Sequence, residues 1–277
     1  KYQDDNWDIF EYNVAAQGTK QITFNAAHEE HPAYSSDFRT IAYTSTRDDH
    51  RGVEYNQKLR DLYVMDLVNG REMNLTTNSS NDWRPRFSRD GKFIIFVSER
   101  SDLRDVSVVD LFSHIFMMEK DGSFQLELTQ GDVNDGGPVM SGGETDPLFF
   151  DSNRNGDFAI YKMKADGSSV EQMTFNSGAN DVSPDLSADG MKIAFFSDRD
   201  GNYELYIMNS DGSNEQRLTS NPSDDLNPII SPDGKKVLFH SNRYGNYDIF
   251  ELNLEQKTTT ATMSQVVSLI DDAISAL

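Results

Sequence analysis

The chain has 277 residues, with 46 Asp and Glu against 25 Lys and Arg, and a formal net charge of −21. Such a field repels nucleic acid and anionic membranes, so neither is expected as a partner, and it helps to keep the chain soluble. There is no cysteine, hence no cysteine nucleophile, and no apolar run approaches the ~20 residues of a membrane span.

The chain opens on NWDIFEYNVAAQGTKQIT, residues 6–23, and this pattern returns. DLYVMDLVNGREMNLT starts at Asp61, HIFMMEKDGSFQLELT at His114, and AIYKMKADGSSVEQMT at Ala159. ELYIMNSDGSNEQRLT follows at Glu204, and DIFELN at Asp248. One aromatic marks each copy: Phe10, Tyr63, Phe116, Tyr161, Tyr206 and Phe250, spaced 53, 53, 45, 45 and 44 residues apart. The arginine of S-x-R, at 47, 100, 154, 199 and 243, always lies 37 or 38 residues after the preceding aromatic. From arginine to the next aromatic is 7 residues in three copies and 16 in the first two. The repeat is therefore about 45 residues, with a nine-residue insertion at the same point twice.

One copy, from Asn180, contains four strand-length runs: SPDLS, KIAFFS, ELYIMN and EQRLT. Between them stand ADG, DRDGN and SDGSN, turn sequences in which Asp or Asn bonds locally and Gly takes positive φ. Four strands (A to D) per 45 residues predict an all-β fold, a β-propeller of four-stranded antiparallel blades. Strand direction alternates, so the A–B and C–D turns share one face. The B–C loops, with both insertions (roughly 48–60 and 101–112), share the other with the D–A loops. The expected binding surface is that elaborated face. Five full sets start at Pro32, Pro85, Pro138, Pro184 and Pro228. Residues 6–23 add a C–D pair without its A–B half, so the expectation is six blades with the first incomplete, spanning 1–263. That first blade is expected to be completed by upstream residues or by the tail. TTTATM, residues 258–263, suits a last D strand. Residues 264–277 show apolar positions at helical spacing behind Ser264, and predict a short C-terminal helix.

The motifs P-x-x-S-P-D-G, I-A-F-x-S-x-R-x-G-N, I-Y-x-M-N-x-D-G-S and R-L-T resemble the repeat of TolB-type propellers over residues 1 to about 262. The likeness is close in the last two full copies and poor at 138–149, where SGGETD replaces S-P-D-G. It extends only to the propeller half of TolB proteins. It implies a binding platform and a periplasmic or otherwise extracytoplasmic setting.

The repeat also separates scaffold from function. An acid stands three residues before each strand A proline: Glu29, Asp82, Asp135, Asp181 and Asp225. With Arg47, Arg100, Arg154, Arg199 and Arg243 these predict two matching sets that pair at the surface and pin D–A loops to B–C loops, each pair contributing at most ~1 kcal/mol. Trp7, Phe158, Tyr203 and Tyr247 precede strand C, either wedging between blades or stacking on sugars.

Departures from the pattern are the candidate binding residues. His28, Glu30 and His31, beside Glu29, crowd one D–A loop. Trp83 and Arg84, residue types enriched in hot spots, occupy the next. His50, Arg51 and Tyr55 belong to the first insertion. Asp151 and His240 are polar where the repeat is otherwise mostly apolar. Two histidines and two acids could bind a divalent cation, but their spacing in one short loop is unspecific, and D-x-D-G-N at 198–202 lacks the full calcium-loop pattern. No cofactor and no metal site are therefore expected. No nucleophile elbow, Walker loop or dinucleotide motif occurs. The leading reading is a non-catalytic platform that holds a protein or peptide on the B–C/D–A face. The alternative is a carbohydrate-binding or carbohydrate-active propeller, a lyase or hydrolase. A third is one domain of a longer protein.

Overall fold

In the computed structural model, the residues described are 2–3, 6–14, 16–104, 111–143 and 145–255. Two short hairpins come first: β1 (Tyr2–Gln3) with β2 (Asn6–Trp7), and β3 (Phe10–Asn13) with β4 (Gly18–Gln21). The first four-stranded antiparallel sheet is β5 (Glu29–Tyr34), β6 (Thr40–Ser45), β7 (Asp61–Asp66) and β8 (Glu72–Asn74). The second is β9 (Asp82–Phe87), β10 (Phe93–Ser98), β11 (His114–Glu119) and β12 (Leu126–Glu127). The third is β13 (Asp135–Met140), β14 (Pro147–Ser152), β15 (Ala159–Lys164) and β16 (Glu171–Gln172). The fourth is β17 (Asp181–Leu186), β18 (Lys192–Ser197), β19 (Glu204–Asn209) and β20 (Gln216–Arg217). The last is β21 (Asp225–Ile230), β22 (Lys236–Ser241) and β23 (Asp248–Asn253), three strands among the described residues.

The structure thus has five propeller blades, and the sequence expectation of six is corrected. β3 and β4 remain a separate two-stranded sheet to which, among the described residues, no A or B strand is added. Two strands do not make a blade. This pair instead buries Ile9 and Ile22 against Ile41, Tyr43, Tyr63 and Met65 of the first blade. Among the described residues there is no α-helix, only a 3-10 turn at Tyr55–Gln57. The expected D strand at 258–263 and the C-terminal helix at 264–277 lie outside the described residues.

By contacts the chain divides into two compact units, Lys1–Leu148 with Met163–Ser169, and Phe149–Lys162 with Val170–Leu277. In the first, Ala42, Leu62 and Val64 meet Ile94, Phe96, Phe116 and Met118, so the core lies between the faces of consecutive blades. In the second, Ala194, Phe196 and Leu205 meet Ile230, Val237, Phe239 and Phe250 in the same way. Alternating side chains on central strands supply both faces, so a blade buried on both sides reads as a nearly continuous apolar run. Close stacking explains one glycine of the D-G-S turns: a Cβ on Gly167 would stand 2.5 Å from the Leu128 carbonyl oxygen, and its φ is +80°.

The residue before each strand A proline is in the left-handed region: His31, Arg84, Gly137, Ser183 and Asn227, with φ of 51–52°. In four blades the A–B register slips there, between Glu30 and Ala33 in the first and between Leu226 and Ile229 in the last. A bulge in this conformation re-aims one side chain per blade and carries backbone strain wherever the residue is not glycine. Asn227→Val should cost about 1–2 kcal/mol, because a β-branched residue resists positive φ, whereas Asn227→Gly should stay within about 0.5 kcal/mol of wild type. Urea unfolding checks this; equal loss in both variants would show that the side chain, not the backbone, matters.

Candidate functional site

The strand A acids are buried rather than paired at the surface. Asp82, Asp181 and Asp225 receive the terminal guanidinium nitrogens of Arg100, Arg199 and Arg243 at 2.8, 2.7 and 2.8 Å, and Glu29 receives Arg47 at 3.4 Å. The four carboxylates are at most 1% exposed, their arginines 15–23%. All five arginines, Arg154 included, donate Nε to the serine of S-x-R at 2.9–3.1 Å. Their guanidinium groups lie over strand C rings, 4.2 Å from Tyr63 and Tyr206. Burial pushes the Glu29 carboxyl up, against its hydrogen bonds and Arg47. A second fastening repeats beside it. The threonine ending strand D accepts the N–H of Ile9, Leu62, Ile115, Ile160 and Leu205 at 2.9–3.0 Å. These groups are scaffold. Removing one partner of a buried pair strands the other, so Arg199→Ala should destabilise by about 3–5 kcal/mol. Lys236→Ala, at the exposed Glu251 pair, should cost under about 1 kcal/mol. Urea unfolding of the two variants compares them directly; similar small losses would return these pairs to the surface class.

On this scaffold the first insertion is fixed by one carboxylate. Asp49 takes Arg51 in a two-pronged contact, with the closest oxygen–nitrogen distance 2.6 Å, and accepts the Leu59 N–H at 2.7 Å. Lys58 Nζ donates to the Asp49 carbonyl at 2.9 Å. The Arg51 contact and the Leu59 amide hold the Asp49 carboxyl well below the usual range. Asp102 repeats the device in the second insertion, with Arg104 and the Phe112 N–H. Arg51 is therefore a clamp, and His50, exposed, lines a separate recess with Asp48, Asp49 and Asp61.

The clamp sets Tyr55 against the D–A loop. Its hydroxyl donates to Glu30 Oε1, its ring lies 4.3 Å from that of His28, and the Arg60 guanidinium stands over the ring, 5.0 Å from its centre. Arg60 Nε donates to Glu30 Oε2 at 3.1 Å. Burial pushes the Glu30 carboxyl up, but the Tyr55 hydroxyl and Arg60 outweigh it and leave it below its usual value. His31 Nδ1 lies 3.2 Å from Thr44 Oγ1, whose proton goes to the Glu30 carbonyl at 3.0 Å. The threonine oxygen therefore accepts, and the neutral imidazole carries its proton on Nδ1 and leaves Nε2 as acceptor. His31 keeps accessible surface although protein groups crowd its ring. Burial, then Arg84, and also Arg60 and Arg86, push it down to about 4 against the pull of Glu30. His28 is likewise lowered, by burial first, and its Nδ1 accepts the Trp7 N–H at 3.3 Å.

The structure thus brings together His28, Glu30, His31 and Tyr55 with Arg84, next to half-buried Trp83. Sequence reasoning missed Arg60 and Arg86. Arg60 had a signal: it replaces the aromatic that Trp7, Phe158, Tyr203 and Tyr247 supply before strand C. Those aromatics divide: Tyr203 packs edge-on against Phe196 at 5.2 Å, whereas Trp7 and Tyr247 are 41% and 54% exposed. Asp151 and His240 belong to the second unit. Asp151 is buried and its Oδ2 accepts the Ser183 N–H at 2.8 Å; His240 is exposed on β22. The donors of the His28–His31 loop turn to separate partners, and among the described residues no three His, Asp or Glu side chains converge as a metal set. Asp198 and Asp200 of D-x-D-G-N are engaged by Asn180 and by Tyr206 with Arg217.

Chemically, the cluster sets positive charge, one neutral imidazole acceptor and aromatic surface side by side, with Arg60 and the Glu30 carboxylate bonded to each other. Such a set suits recognition of an anionic group. Because the folded value of His31 lies below the unfolded one, its neutral form favours folding above about pH 6.5, and that contribution is lost as pH falls through about 4. NMR titration of the His31 ring should show a midpoint near 4; a midpoint near 6.5 would show that the ring is solvated and that the desolvation assigned to it is absent.

Comparison with known proteins adds the following. The TolB beta propeller domain family matches residues 178–270, and the dipeptidyl peptidase IV N-terminal region family matches residues 56–191. A crystal structure of TolB from Acinetobacter baumannii is 22% identical, with a TM-score of 0.70, over 90% of this chain and 57% of that one. An oligogalacturonate lyase from Vibrio parahaemolyticus is 14% identical, with a TM-score of 0.60, over 90% of this chain and 72% of that one. An uncharacterized protein of Agrobacterium fabrum is 29% identical over 134 residues, 48% of this chain and 42% of its own length, so the match spans less than half of that relative. At these identities the solved structures share the fold.

Proposed function

We propose that this chain, which is built of TolB-like propeller repeats, is a non-catalytic platform that holds a protein or peptide partner on the loop face of the first two blades. The observation that carries this reading is a local reversal of charge. In a chain of net charge −21, Arg60, Arg84 and Arg86 gather around His31, beside Trp83 and Tyr55. Carboxylates of a partner suit the arginines, and the aromatics supply the desolvated contact that makes a hot spot. The long insertion that carries Tyr55 is clamped at Asp49, so the surface is largely preformed and binding orders little. Fold likeness to TolB supports a protein ligand and an extracytoplasmic, periplasmic setting. No described helix is long and apolar enough to cross a membrane.

A carbohydrate-active reading draws on the exposed His240 and on the fold shared with the lyase. Against it, Asp151 is withdrawn into the sheet and bonded to the Ser183 amide.

Affinity capture from an envelope extract of the source cell, wild type beside Trp83→Ala/Arg84→Ala, tests the platform. A protein retained by wild type should bind the variant at least about 30-fold more weakly, as expected for loss of about 2 kcal/mol at a hot spot. Far-UV circular dichroism and unfolding should stay close to wild type. Equal retention by both chains would overturn the assignment.

A further inference from the structure

The fourth blade contains an arrangement that the first blade repeats with one member missing. Arg217 on β20 bridges two carboxylates, with Nη1 3.0 Å from Asp200 Oδ2 and Nη2 3.0 Å from Glu204 Oε1. The Tyr206 hydroxyl also donates to Asp200. The same repeat positions in the first blade are Asp48, Asp61 and Asn74, and the Tyr63 hydroxyl donates to Asp48. Both acids and the tyrosine are therefore common to the two blades, and the arginine belongs to the fourth alone; the other copies carry Gln21, Asn74, Glu127 and Gln172 at its position. Asn74 Nδ2 donates to Asp48 Oδ2 at 2.7 Å, and no ion pair to Asp48 or Asp61 occurs among the described residues. The two acids line a cavity of about 390 Å³ with Asp49, His50, Arg51 and Leu59, and the Arg51 guanidinium there is taken by Asp49 rather than by Asp48 or Asp61. Burial, then the charges of Asp82 and Asp48, push the Asp61 carboxyl up to about 6, as expected of an acid whose counter-charge is absent.

We propose that this recess takes the guanidinium of an arginine side chain presented by the bound partner, in the place that Arg217 fills in the fourth blade. The inference rests on the platform reading and names one group that the partner brings. A planar fork can reach both carboxylates at once, as Arg217 does, whereas an ammonium is a point charge. The recess opens beside the insertion that carries Tyr55, so one partner segment with an arginine and a carboxylate could engage the recess and the arginine cluster together.

The test needs no partner. The purified chain, labelled with nitrogen-15, is titrated with acetyl-Gly-Arg-Gly-amide and with the citrulline and lysine versions of the same peptide. The arginine peptide should shift amides at 48–50, 59–61, 74 and 78–79, saturably, and the citrulline peptide should not. Asp48→Asn should weaken the response by about tenfold or more. Asn74→Arg should abolish it while raising the unfolding temperature, because that variant carries its own guanidinium. A response unchanged by Asn74→Arg, equal responses to citrulline or lysine peptides, or no saturable response would each overturn the proposal. Trp83→Ala/Arg84→Ala should keep the peptide response. Equal partner capture by wild type and this variant, with an intact peptide response, would therefore refute only the platform, whereas capture lost in the variant with no saturable peptide response from wild type would refute only this recess.

Discussion

Each blade depends on a carboxylate that folding removes from water at the start of strand A. Such a charge is tolerated only with a partner and hydrogen bonds, and the S-x-R segment of the next strand supplies both. The same guanidinium covers the strand C aromatic, so one side chain ties A, B and C together at the loop end of the sheet. The strand D threonine closes the set by taking a strand C amide. The constraint explains why acid, serine, arginine, aromatic and threonine recur at fixed spacing while the residues between them vary.

With the loop ends held this way, the loops themselves are free to differ. Both insertions lie there, and each is closed by an aspartate that grips an arginine two residues on and the far amide of the insertion. The clamps turn long loops into preformed surface. They also leave Tyr55 and Arg60 in position to hold Glu30, so that acid is neutralised from within, as Glu29 is by Arg47, while Arg84 and Arg86 stand near His31.

The repeat therefore acts as its own control. The acids, serines and threonines found in every copy turned out to be buried, whereas the clusters with unusual electrostatics arise where one copy departs. Arg60 in place of an aromatic is a substitution against the repeat, and Arg217 is another, at the position that Gln21, Asn74, Glu127 and Gln172 hold in the other copies; each changes the charge of its surroundings. Asp151 is a departure of another kind: its polarity is spent on the backbone of strand A.

By itself the sequence determined the unit, its four strands, its turn residues and the pairing of acids with arginines, because these are local patterns that recur at fixed spacing. The tertiary structure alone decided three things. Five blades form rather than six, because a C–D hairpin becomes a blade only if A and B strands bond to it, and among the described residues none bonds to β3–β4. The acids lie under the loops and not at the surface, because burial depends on what packs above them. Arg60 and Arg86 join His31 and Glu30 although about 30 to 55 residues separate them in the chain. Contacts of that range leave no periodic trace, and a departure from the repeat at Arg60 was their only mark in the sequence.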